Sequence, residues 1–255
     1  LVGKKLSAVS PKPQTTRHRI LGILSREDHQ VIFFDTPGLF QPKYKLQELM
    51  ARKAHAAFSD CDLVLLMVEP FEFELDETLL KRLREAGKPA VLAINKVDLV
   101  KKETILPLIE AYSRAFDFKE IVPVSALTGD GLPLLLREIL DLLPSGEPFY
   151  PPETLTVHPE RFFVEEIIRE KVFTLYGEEV PYSVSVKIDE FRERSGQKDY
   201  IRAILYVERD SQKGILIGKR GEALKKVGKS ARSDIEEFLG RPVYLELWVK
   251  TRKEW

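Results

Sequence analysis

Short apolar runs alternate with helical repeats until a proline-rich stretch ends the pattern, and this constrains the chain more than any other feature. Runs at 30–35, 62–68, 90–94 and 121–124 have the length of buried strands. Between and after them, residues 46–58, 77–86, 106–116 and 132–143 carry apolar side chains at helical spacing. Strands separated by helices need crossover connections, and these produce a mostly parallel sheet with helices on its faces. Residues 18–26 read as one more strand at the sheet's edge. The expected fold class is α/β.

The pattern changes after residue 143. Five prolines fall between 144 and 159 (positions 144, 148, 151, 152 and 159), a composition that reads as a partly extended linker. Beyond it the order becomes helix, strand, strand, short helix, helix, strand, at 162–175, 182–190, 200–208, 212–217, 223–239 and 243–249. Ser195 and Gly196 sit in the connection of the two middle strands, which suggests a hairpin. The chain therefore divides into a first domain at 1–147, a linker at 148–160 and a second, α+β domain at 161–255. With 255 residues there is enough chain for either one or two cores.

Composition narrows the rest. Forty basic residues balance forty acidic ones, so net charge points to no partner, but its distribution does. Between Lys213 and Arg232 stand seven basic residues and one acid, Glu222. The single cysteine, Cys61, excludes a disulfide framework or a cysteine metal site and fits a reducing compartment. The longest apolar run, 63–68, is far short of the roughly 20 residues that span a bilayer.

Three polar motifs follow three of the strands, where ligands bind in open α/β sheets. Asn95-Lys96-Val97-Asp98 comes directly after 90–94. Its aspartate can accept two hydrogen bonds, from the N1–H and the 2-amino group of guanine. Adenine has neither donor and would leave the carboxylate unpaired, which is a strong basis for discrimination. Lys96 can lie along the purine face, and Asn95 can brace neighbouring loops. Ser125-Ala126-Leu127 follows 121–124, and the Ala126 N–H is a candidate donor to the guanine 6-oxo group. Asp35-Thr36-Pro37-Gly38 ends 30–35: the carboxylate can hold Mg²⁺ through water, and glycine lets its N–H approach a γ-phosphate. Each motif alone is an ordinary turn; the three in this order are not.

The set resembles the translation-factor-like class of P-loop GTPases. Ser10-Pro11-Lys12-Pro13-Gln14-Thr15-Thr16-Arg17-His18-Arg19, followed by Asp35-Thr36-Pro37-Gly38-Leu39, resembles the Era family in particular. That resemblance implies a P-loop GTPase-type sheet, with residues 11–17 as switch I and Asp35 to Gly38 as the start of switch II. Thr15 and Thr16 then belong to the phosphate-sensing segment, with Thr16 and Asp35 holding Mg²⁺ when GTP is present. Leu39 stands where Ras-like enzymes place a water-orienting glutamine, so slow intrinsic hydrolysis is expected and no residue is assigned to water activation. The sequence contains no Gly-x-x-x-x-Gly-Lys-Ser/Thr loop, and Leu1-Val2-Gly3 resembles the end of the helix that follows it. The expectation is that the first strand and phosphate loop precede Leu1. The polypeptide as written would then bind nucleotide poorly and be inactive, because that loop supplies donors and a lysine for the phosphates.

In the second domain, Gly218-Lys219-Arg220-Gly221 lies between the apolar Ile215-Leu216-Ile217 and a helix carrying Lys225. Two glycines around two basic residues, at a helix start, resemble the Gly-x-x-Gly clamp of KH domains, which grips about four nucleotides of single strand. The order α-β-β-α-α-β agrees with the type II KH arrangement. Ile215 and Ile217 are expected to floor the base groove, while Lys219, Arg220 and Lys225 face the phosphates.

The resemblance implies a guanine-nucleotide switch using Mg²⁺ with GTP or GDP. It further implies binding to the 3′ end of 16S ribosomal RNA and assistance in small-subunit assembly. The protein would be cytoplasmic, monomeric, and at times peripheral at the inner membrane. Two alternatives stay open at this level: an RNA-binding KH module beside a degenerate, non-hydrolysing scaffold, and a GTPase whose second domain binds protein.

Overall fold

The structure is a computed structural model that describes residues 1–10, 12, 15–38, 58, 60–71, 73, 75, 77–177 and 180–252. It forms two compact units. One comprises 1–3 and 22–155, the other 4–21 and 156–255. Residues 4–21, read from the sequence as part of the first domain, cluster with the second unit. The helix expected at 46–58 and Leu39 lie outside the described residues, apart from Phe58 itself.

β1 (Ile20–Ser25), of which Gly22 onward belongs to the first unit, pairs with β2 (Gln30–Asp35) across a short turn, where the Arg26 N–H donates to the His29 carbonyl. A second sheet is all parallel, in the order β3 (Val64–Val68), β4 (Ala90–Ile94), β5 (Glu120–Pro123). Its centre is β4, Ala-Val-Leu-Ala-Ile, buried at all five positions. A strand covered on both faces has no polar side to show, which is why its sequence does not alternate. Val91 and Ala93 join Val122, Val124, Leu135 and Ile139 on one side of the sheet. Leu92 and Ile94 join Val68, Leu80 and Tyr112 on the other. The covering helices are α1 (Glu77–Ala86), α2 (Ile105–Ala115) and α3 (Leu132–Leu142).

The second unit runs α4 (Glu160–Leu175), β6 (Ser185–Arg192), β7 (Asp199–Val207), α5 (Asp210–Ile217), α6 (Glu222–Leu239), β8 (Val243–Thr251). β6 pairs antiparallel with β7, and β7 pairs parallel with β8. One sheet face packs on the helices through Val186, Ile201, Ala203, Leu205 and Val249 against Val164, Ile168, Leu216, Val227 and Ile235. Among the described residues, the other face carries no helix of this core.

α4 is buried on more than one side, and its buried set includes Glu166, Arg169 and Glu170. Those charges are satisfied by residues 4–21. Lys5 pairs with Glu170 at 2.8 Å, and the Val9 N–H donates to the same carboxylate at 2.8 Å. Arg169 pairs with Glu166 and donates to the Thr15 carbonyl. Arg17, 7% exposed, donates to the carbonyls of Val184, Pro181 and Tyr182 at 2.7, 2.9 and 3.0 Å.

Candidate functional site

Parallel pairing of β4 with β5 brings the chain just beyond each strand to one end of the sheet. The Val124 N–H continues the ladder to the Ile94 carbonyl at 2.8 Å, and the Val97 N–H returns to the Val124 carbonyl at 3.3 Å. This places Asn95-Lys96-Val97-Asp98 beside Ser125-Ala126-Leu127. The Asn95 side chain joins the two segments, its Oδ1 accepting from the Lys96 N–H at 2.8 Å and the Ala126 N–H at 2.9 Å. The bracing expected of Asn95 is therefore present. The Ala126 N–H, read as a donor to guanine, is here committed to Asn95. Contact with a purine oxygen would require that bond to be exchanged or shared.

Lys96 has φ +63°, an arrangement that costs a non-glycine residue about 1–2 kcal/mol. It turns the chain so that Val97–Leu99 forms a short 3₁₀ turn, on which Asp98 is exposed. No hydrogen bond or ion pair engages the Asp98 carboxylate among the described residues, so its oxygens are open to a ligand. The Lys96 ammonium pairs with Glu69. Ser125 is buried and works inward, its Oγ accepting from the Thr128 N–H at 3.2 Å. Leu127 is 87% exposed. Gly131 makes this loop possible, since a Cβ there would stand 2.3 Å from the Pro123 carbonyl oxygen.

Asp35 ends β2, with Thr36 half-buried, Pro37 buried and Gly38 exposed in open space. These residues lie in the same unit as Asn95 and Ser125; Thr15 and Thr16 belong to the other. Thr15 is buried, and its hydroxyl donates to the Lys12 carbonyl at 2.7 Å. Thr16 is half-buried. The carboxylate of Asp35 and a threonine hydroxyl are hard oxygen donors of the kind Mg²⁺ takes beside phosphate. Among the described residues no group of three or more His, Cys, Asp or Glu side chains is placed to hold a metal.

The second site is the turn Lys219–Gly221 between α5 and α6. Gly218 has φ +69° and ψ 179°, a region open to glycine alone, and a Cβ there would meet the Ala223 Cβ at 2.6 Å. Arg220 and Gly221 also have positive φ. The resulting turn holds Lys219 and Arg220 out in solvent, in front of an 18-residue helix whose first turn no side chain caps. A helix start with open N–H groups attracts phosphate. Lys225, Lys229 and Arg232 follow along one exposed stripe of α6. Ile215 is 54% exposed and Ile217 half-buried beside the loop, while Leu216 between them anchors the core.

Sequence reading missed one residue that shapes this loop. The buried Tyr176 donates its hydroxyl to the Leu216 carbonyl at 2.6 Å, holding the last turn of α5 in place, and burial pushes that hydroxyl's pKa up to about 12. It lies forty residues from its partner, and nothing local marks it.

Residues 179–255 match the KH domain family, and residues 1–96 match a family described as 50S ribosome-binding GTPase. GTPase Era of Geotalea daltonii is 48% identical over 257 residues, covering all of this chain and 86% of the relative. An Era variant from Aquifex aeolicus, solved with GDP·AlF4⁻, superposes with a TM-score of 0.95 at 40% identity, covering 99% of this chain and 87% of that one. Era in complex with MgGDPNP and nucleotides 1506–1542 of 16S ribosomal RNA superposes with a TM-score of 0.94, also at 40% identity and with the same coverage.

Proposed function

Because this chain belongs to the Era family of GTPases, we propose that it is a GTP-hydrolysing switch whose KH domain engages the 3′ end of 16S ribosomal RNA during small-subunit assembly. The observation that carries the nucleotide half is the Asn95 side chain joining the two base-reading loops while Asp98 stays open. Asp98 selects guanine, Lys96 covers its face once released from Glu69, and Asp35 would hold Mg²⁺. The metal, when bound, neutralises charge on the β- and γ-phosphates. These residue assignments are supported by the position of each motif at a strand end and by the Era structures solved with MgGDPNP and GDP·AlF4⁻.

The RNA half is supported by the Gly218–Gly221 turn with its flanking cations and by the relative solved with a 16S fragment. The same proposal includes a monomer in the cytoplasm, at times in peripheral contact with the inner membrane.

Base selection supplies the test. In the full-length protein, Asp98→Asn should weaken GTP binding and improve binding of xanthosine triphosphate, whose 2-oxo group accepts from the new amide. The amide oxygen can keep one of the two bonds and the amide N–H cannot accept the other; one lost charge-assisted bond of about 1.5–3 kcal/mol implies roughly 10- to 100-fold weaker GTP binding. Titration of both nucleotides checks this; unchanged selectivity would remove Asp98 from the site.

A further inference from the structure

The second unit has an aromatic surface that the clamp does not use. It is the face of the three-stranded sheet turned away from α4, α5 and α6. Register places Tyr200 beside Tyr244, Ile204 beside Trp248 and Tyr206 beside Lys250 on that face. Tyr244 is 57% exposed and Trp248 50% exposed, on β8, whose one strand neighbour among the described residues is β7.

The rings are ordered. Tyr200 and Tyr244 stack with centroids 5.9 Å apart and planes 13° apart. Glu246 fixes both ends of the row: it accepts from the Tyr200 hydroxyl at 2.5 Å and from the Trp248 indole N–H at 2.7 Å. The face is also cationic. Arg194 sits over the Tyr200 ring at 5.2 Å and Arg252 over the Tyr206 ring at 5.9 Å. Arg202 and Arg192 pair with Asp189 and Glu190, and Glu246 is engaged by its two aromatic donors. Among the described residues Arg194, Lys250 and Arg252 form no ion pair; the Glu246 carboxylate, which its neutral donors leave charged, offsets only part of them, so the face keeps a net positive charge.

We propose that this open face is a second binding surface for single-stranded RNA, separate from the Gly218–Gly221 clamp. Exposed rings on a sheet, interleaved with guanidinium groups, suit unpaired bases, which stack on any aromatic face while cations meet the phosphates. Tyr244 and Trp248 are four residues apart on one strand, roughly 13 Å. That spacing fits two bases that are not neighbours, with a base between them. A protein surface can also pack on Tyr and Trp, but cations interleaved with the rings suit a ligand that carries a stackable face and a negative charge in every repeat, so RNA is the occupant the chemistry favours. The inference rests on the RNA-binding reading of the second domain.

The test uses the whole chain and a fluorescent oligouridylate of about 12 nucleotides, longer than the roughly four that the clamp alone grips. Four proteins are compared: the parent, Lys219→Glu with Arg220→Glu in the clamp, Tyr244→Ala with Trp248→Ala on the face, and the combination. All substituted side chains are solvent-accessible, and thermal melts confirm that each variant folds. Expected results are residual binding by the clamp variant, a further loss of about fivefold or more on adding the face changes, and quenching of Trp248 emission by RNA in a Trp255→Phe background. Arg194→Ser with Arg252→Ser should lower the salt dependence while leaving the Tyr244 and Trp248 rings in place.

Face variants that bind like their parents, with no quenching of Trp248, would overturn the proposal and leave the clamp reading intact. Clamp variants that bind like the parent while face variants do not would sink the clamp and keep the face. Self-association abolished by the face variant, with RNA affinity unchanged, would assign the surface to a second copy and overturn the proposal.

Discussion

Glu166 shows how much a single side chain carries in the second unit. It is 4% exposed on α4 and faces Arg169 and the His18 ring, 3.5 Å away. Burial alone raises its pKa; contact with the His18 ring and pairing with the Arg169 guanidinium outweigh burial and hold it at about 2, below the ordinary 4.5. A carboxyl whose folded pKa is depressed adds stability above its unfolded pKa and loses it as pH falls through the folded value. The window is therefore from about pH 4.5 down to about 2. The shift corresponds to something on the order of 3 kcal/mol. Glu166→Gln should remove that acid-sensitive component and strand Arg169, for a total cost of about 3–5 kcal/mol near neutral pH. Urea unfolding at several pH values measures both. An unchanged acid limb would mean that Glu166 is not ionised in the fold.

At the scale of elements, the same region shows what sequence can and cannot reveal. β4 was legible to the residue because a five-residue apolar run between Pro89 and Asn95 has no other use in a parallel sheet. Helices α1 and α3 were legible from their amphipathic spacing. β6 was not: its alternation reads back to Tyr182, yet Val180–Ser183 is a 3₁₀ turn, because Pro181 has no N–H for a ladder. The buried charges of α4 were illegible for a different reason. Glu166 and Arg169 pair within the helix, but Lys5, the Val9 N–H and the Thr15 carbonyl, which serve Glu170 and Arg169, lie more than 150 residues earlier, and no local pattern encodes that packing. The guanine-reading loops were legible as motifs, but not the bond that ties Ala126 to Asn95. Arg17 tests the docked segment. Its buried guanidinium donates to three carbonyls, so Arg17→Ala should cost about 2–4 kcal/mol in unfolding of the second unit. Arg17→Lys should recover little of it, since one ammonium cannot reproduce the planar fork that spans them. Recovery to parental stability by lysine would show that charge alone, not the fork, holds the segment.

For the whole molecule, the balance of forty basic and forty acidic residues matters more than it first seems. A neutral chain has no general attraction for nucleic acid, so its salt dependence must come from local clusters. The cluster in view is Lys219 and Arg220 at the clamp, followed by Lys225, Lys229 and Arg232 along α6. Each lysine that neutralises a phosphate releases a condensed counterion, and each contributes about 0.7 to the slope of log K against log salt for a single strand. Lys225→Ala with Lys229→Ala should therefore flatten that slope by about 1.4 if both side chains meet phosphate. Guanine selectivity should not change, because Asp98 lies in the other compact unit. Oligonucleotide binding measured across a salt series separates the contributions. A drop in affinity with the slope unchanged would mean that the two lysines support the helix rather than the phosphates. No drop at all would confine the electrostatics to Lys219, Arg220 and the open sheet face. A slope reduced by the full amount, with xanthine and guanine still discriminated as in the parent, would separate the two chemistries: one unit reads a base by hydrogen bonds, the other holds a strand by charge.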